Sequence, residues 1–144
     1  MRSVLLPIDG SDSAFQAARY VIDFVKQYGA LAIHVANIQP KPFEWATRGM
    51  EPETVEENPS VQAHVALKPV LHALDEEGIV YQTHVRFGDT GEALLALADE
   101  LECDHIIMGP RGLGAISGLM LGSVTLKVLH LAKIPVICVK NDRC

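Results

Sequence analysis

Positive charge is scarce in this chain: twelve Lys and Arg stand against eighteen Asp and Glu, a formal net charge of −6 over 144 residues. That balance argues against broad binding to nucleic acid or to an anionic membrane, both of which require a basic field. Cysteine is scarce as well. Cys103, Cys138 and Cys144 show no CxxC spacing, and an odd number makes a poor disulfide framework. Cys138 falls in an apolar run and reads as a small buried hydrophobe. No stretch approaches the roughly eighteen consecutive apolar residues of a membrane span. The opening MRSVLLPIDGS meets Pro7 and Asp9 too soon for a secretory signal. The expectation is a soluble, cytoplasmic protein with no membrane insertion. Six histidines are scattered without an HExxH pattern, so a zinc site is not expected.

What the chain does have is an alternation of short apolar runs and helical patterns. Val4–Ile8 reads as a strand that stops at Asp9-Gly10-Ser11. Ser13 with Gln16 fits a capping box, and Ala14, Ala17, Ala18, Val21, Ile22 and Val25 recur on one helical face up to Gly29. A second strand is expected over 30–38. Residues 39–60 carry four prolines and little periodicity, a long excursion in which Phe43, Trp45 and Met50 read as a packing cluster. A helix is expected over about 61–77, kinked or started late by Pro69 and ended by Gly78. The less apolar run 79–87 suits an edge strand, and Asp89 with Glu92 caps a helix buried through Ala93, Leu94, Leu97, Ala98 and Leu101. A fourth strand over 104–108, a helix from Ser123 to about Leu131 and a last strand over 134–139 complete the pattern. Strands alternating with helices predict one α/β domain over 1–144. Its five-stranded parallel open sheet carries helices on both faces and right-handed crossovers.

The stretch from Asp104 to His130 has the order of an anion cradle: a buried strand, a glycine-rich loop and a helix start. Glycines allow the backbone to approach a ligand, and the first amides of a helix have no partner within it. The loop lacks GxxxxGK[ST] and therefore the phosphate lysine of a Walker site, and it follows the fourth strand rather than the first. Backbone amides, the hydroxyls of Ser123 and Thr125, and the side chain of Arg111 are the groups left to meet phosphate. The same glycines would also serve plain turns and a helix cap. Asp9, at the end of the first strand, is suited to a ribose rather than to phosphates, which it would repel; capping of the turn beside Gly10 is its alternative role.

Gly109-x2-Gly112-x9-Gly122-Ser123, together with VLLPIDGS, HIIMGPRG, LGSVTLKVLH and PVICVK, resembles the nucleotide-binding subgroup of the universal stress protein family over almost the whole chain. The resemblance implies a Rossmann-like sheet of strand order 3-2-1-4-5, with the site where strands one and four separate. It implies Pro7, Ile8 and Asp9 beside the nucleoside and Val35 at the adenine through its backbone. Met108 and Gly109 would flank ribose and adenine, and Gly112, Gly122, Ser123, Val124 and Thr125 would surround the phosphates. Pro110 departs from the residue with a backbone donor common at its position. The implied ligand is ATP, with AMP or ADP as alternatives and Mg²⁺ held through the phosphates. The implied assembly is a homodimer through strand 134–139, and the implied role is stress-related regulation of a protein partner. Two other functions fit the same residues: a slow ATP hydrolase or nucleotidyl-transfer enzyme acting through Asp9, and a partner-binding module that needs no nucleotide. No paired carboxylates, lysine clamp or general base speak for the enzyme.

Overall fold

The computed structural model describes residues 1–41, 58–112 and 120–140. Five strands, β1 (Ser3–Pro7), β2 (Ala32–Gln39), β3 (Gln82–Phe87), β4 (His105–Met108) and β5 (Val136–Cys138), form one sheet of order β3-β2-β1-β4-β5. Every neighbouring pair is parallel. Four helices alternate with them: α1 (Asp12–Tyr28), α2 (Pro59–Glu76), α3 (Thr90–Glu100) and α4 (Ser123–Leu131). The expected α/β architecture, strand order and two helical layers are all present.

The period-two alternation of β1 explains why both faces must be covered. Val4 and Leu6, with Ile8 just beyond, meet Ala14, Ala17, Ala18 and Val21 of α1 and Leu67, Val70 and Leu74 of α2. Leu5 points the other way, into Ala36, Ile106 and Met108 with Leu94 and Leu97 of α3 and Val128 of α4. A strand buried on both sides can only be apolar throughout.

Several boundaries differ from the sequence reading. The first helix is capped by Ser11, whose hydroxyl accepts from the Ala14 amide at 3.1 Å, so the Ser13–Gln16 box is not the cap. Helix α2 starts earlier than 61, at Pro59, where Asn58 accepts from the Ser60 amide at 2.9 Å, and it runs through Pro69 without stopping. Strand β3 begins at Gln82 rather than 79, because Ile79 and Tyr81 pack against the α1–α2 core before the ladder starts. Strands β2 and β5 are also shorter at their starts than expected. Asp89 does cap α3, accepting from the Glu92 amide at 3.0 Å. Phe43, Trp45, Met50 and Cys144 lie outside the described residues. Among the described residues, no helix is long and apolar enough to cross a membrane.

Candidate functional site

The sheet divides at its carboxyl rim. β1 pairs with β2 over five registered positions, Ser3↔Ala32 to Pro7↔Ala36, but with β4 over only two, Val4↔His105 and Leu5↔Ile106. Beyond those pairs the two strands part, and the order of connection reverses between them, the usual place for a ligand in an open α/β sheet. A cavity of about 580 Å³ opens there. Pro7, Ile8 and Asp9 line one side, Met108, Gly109, Arg111 and Gly112 the other, and Gly122 to Thr125 the helix start.

Two glycines permit this convergence. A Cβ on Gly109 would run into Ser13, reaching 2.8 Å from the Ser13 carbonyl carbon and oxygen. A Cβ on Gly112 would lie 2.5 Å from Asp9 Oδ2. Only a bare backbone lets the loop after β4 lie against α1 at one point and against the Asp9 carboxylate at the other. Asp9 is itself oriented by the turn, its Oδ1 accepting from the Ser11 amide at 2.9 Å. Oδ1 of Asp9 thus belongs to the turn, and Oδ2 lies toward Gly112.

The loop is gathered at its base. The Gly122 amide donates to the Pro110 carbonyl at 2.7 Å, and Thr125 Oγ1 donates to the Gly109 carbonyl at 3.0 Å. Pro110, noted for lacking a donor, serves here as an acceptor. Thr125 is 2% exposed, and its hydroxyl is committed to Gly109. The N-cap of α4 is Gly122, not the polar Ser123, and it supplies no side-chain cap to the first-turn amides. The residues that carry those amides, at the positive end of a helix of nine residues, line the cavity. Burial pushes the Cys138 thiol up, with Lys140 and Arg111 pulling the opposite way.

Of the twelve sequence-predicted residues, eleven line the cavity; Val35 does not. Its side chain is fully buried against α1 and α2, and β2 meets the cavity instead through Ala36 and Ile38. With Thr90 and Leu94 of α3, these make an apolar end that sequence reasoning missed, because they are indistinguishable in pattern from core. Asn37 does not line the cavity, but an Asn inside AIHVANI stands out in the sequence: strands disfavour it, and buried polar groups need partners.

The six histidines do not assemble. His34 and His84 meet across β2 and β3 at 3.0 Å between ring nitrogens, and burial lowers the pKa of both. Among the described residues, no group of three or more His, Cys, Asp or Glu is placed to hold a metal ion.

Comparison with known proteins gives the family and the fold. A universal stress protein from Thermus aquaticus is 33% identical over 147 residues, covering 96% of this chain and 98% of its own. One from Synechocystis is 31% identical over 141 residues, covering 96% and 85%. The Archaeoglobus fulgidus universal stress protein in complex with dAMP shares the fold at TM-score 0.71, with 22% identity and coverage of 97% and 98%. An Arabidopsis thaliana family protein with AMP bound does so at TM-score 0.72, with 14% identity and coverage of 99% and 94%. The model of the Universal stress protein family matches residues 1–140, and the chain belongs to that family.

Proposed function

We propose that this chain binds an adenine nucleotide in the cavity between β1 and β4, and that occupancy is signalled to a protein partner through the surrounding surface. The observation that carries the reading is the meeting of Asp9 with two backbone segments, Gly109–Gly112 and Gly122–Thr125, around one opening. The carboxylate suits sugar hydroxyls, the helix start and loop amides suit phosphate, and Ala36, Ile38 and Leu94 supply an apolar seat for a base. Relatives of the same fold hold AMP or dAMP, which supports an adenine ligand. The resemblance of the glycine pattern to the family's ATP-binding pattern implies ATP, with AMP or ADP as alternatives. Because Asp9 is the single acid among the described residues lining the cavity, Mg²⁺ would ride on phosphate oxygens and waters rather than on a protein cage. The working unit in this reading is one domain over residues 1–144, cytoplasmic and paired as a homodimer through residues 134–139, at the open edge formed by β5.

A ligand shifts a regulatory balance only if it binds two forms unequally. Titration calorimetry with AMP, ADP and ATP, each with and without Mg²⁺, tests the first step. Saturable one-site binding that weakens in Asp9→Ala is expected; no heat with any of the six titrations sinks the reading. Sedimentation with and without nucleotide tests the dimer, for which a monomer at micromolar concentration is the contrary result.

A further inference from the structure

A polar side chain sits under the site without lining it. Asn37 is 3% exposed in the middle of β2, and its Nδ2 donates to the Ile8 carbonyl at 2.8 Å. The Ile8 amide donates in turn to the Ala36 carbonyl at 2.8 Å. Since Pro7 registers with Ala36, a continued parallel ladder would give the Ile8 carbonyl to the Ile38 amide. The Asn37 side chain stands in that place and prolongs the ladder by one bond just where β1 leaves the sheet. A carbonyl can only accept, so the amide group must turn its NH₂ toward Ile8 and its oxygen away. That oxygen accepts from Gln39 Nε2 at 2.6 Å, which holds the amide in the required sense.

The next residue after Ile8 is Asp9. Holding Ile8 at both its amide and its carbonyl, and so the peptides on either side of it, fixes the direction in which the chain enters the turn. That direction decides where the Asp9 carboxylate lies between the Ser11 amide and Gly112. A leucine at position 37 would suit the strand better on propensity alone. The buried amide is explained by what it holds.

We infer that Asn37, kept in orientation by Gln39, is a positioning residue that aims Asp9 at the sugar of the bound nucleotide. The inference rests on the nucleotide reading above and adds a specificity device to it: recognition of sugar hydroxyls depends on a residue that touches no ligand.

The experiment compares AMP with 2′,3′-dideoxy-AMP on the parent chain, Asn37→Leu, Gln39→Ala, Asp9→Ala and the Asp9→Ala/Asn37→Leu double variant. Loss of an aligned hydrogen bond to a charged group corresponds to about a tenfold loss of affinity. Asn37→Leu should therefore weaken AMP about tenfold while leaving the dideoxy nucleotide within about twofold, and Gln39→Ala should do the same to a smaller extent. The double variant should be no weaker than Asp9→Ala, since coupled residues are not additive. Equal losses for both nucleotides, or additive losses, overturn the inference. A second arm uses no ligand. In amide correlation spectra Asn37→Leu should move the Ser11 and Gly112 resonances while Leu97 and Val128 stay in place, and Gln39→Ala covers the case in which Asn37→Leu does not fold. If the parent chain binds no adenine nucleotide, the functional reading fails by itself. Unmoved Ser11 and Gly112 resonances in a folded variant then still overturn the positioning role.

Discussion

Two aspartates at opposite rims of the sheet show how one residue type is put to different uses. Asp104, just before β4, accepts from the Arg2 amide at 2.8 Å and the Ser3 amide at 3.3 Å, and it meets the His105 ring at 2.8 Å. Desolvation pushes its carboxyl up, but the hydrogen bonds from His105, Arg2 and Ser3 outweigh it and hold the group at about 2. These bonds tie the start of β1 to the start of β4. Asp9, at the far end of the same strand, gives Oδ1 to the Ser11 amide and turns Oδ2 to the loop after β4. The amino rim is closed by its carboxylate, and the carboxyl rim is held open around one.

The contrast can be broken most sharply at Gly112. In Gly112→Ala the new methyl displaces the Asp9 carboxylate, the far end of a side chain, so binding should suffer more than folding. Nucleotide affinity should fall by about tenfold to a hundredfold, the range of a hydrogen bond to a charged group, with little change in the thermal midpoint. Calorimetry beside a melting curve checks both halves.

Gly109→Ala, three residues away, should do the reverse. Its methyl meets Ser13 backbone atoms at 2.8 Å, which can yield only if α1 moves. Overpacking of this kind costs about 1–3 kcal/mol, to be read from denaturant midpoints at unchanged slope. A stability equal to the parent's would show that α1 does not rest on the loop.

Asp104→Asn should cost about 1 kcal/mol after discounting for its exposure, and it should leave nucleotide affinity alone. The depressed carboxyl makes the sign definite. Its contribution is full above the ordinary value of 3.8 and is lost as pH falls toward about 2, a dependence that Asp104→Asn should flatten in acid-unfolding curves.

The smallest effect belongs to the His34–His84 pair. Burial lowers both, and for His84 the neighbouring His34 and Arg86 add to it while Glu100 opposes. The folded state therefore favours neutral rings. Stability should be full above about 6.5 and should decline as pH falls below that value, where the unfolded chain takes up protons first. His84→Gln should remove part of the slope between pH 6.5 and 5 and nothing above it.

Much of this was legible in the chain. Apolar runs of strand length separated by helical patterns gave the α/β class, and the glycine spacing pointed to the rim after β4. Register was harder. Ser13 has the capping-box glutamine three residues on and Ser11 only Ala14, yet Ser11 is the cap, because the turn through Asp9 and Gly10 decides where the helix can begin. Pro69 suggested a kink or a late start, yet α2 begins at Pro59 and buries Leu67, Val70 and Leu74 on both sides of Pro69, and that packing outweighs one missing donor. The apolar end of the cavity was invisible for a different reason. Ala36, Ile38 and Leu94 obey the same periodicity as residues in the core, and only assembled strands reveal which of them end at an opening. The side chain of Val35 points to the other face, which bears on its packing and not on the backbone contact expected of it.

The short β1–β4 ladder has a mechanical consequence. Two registered pairs join β3-β2-β1 to β4-β5 near one margin, and a nucleotide bound in the seam as proposed would act as a second stitch. Its grip would be felt as slower opening of the stitching itself, in strands it never touches at their far ends.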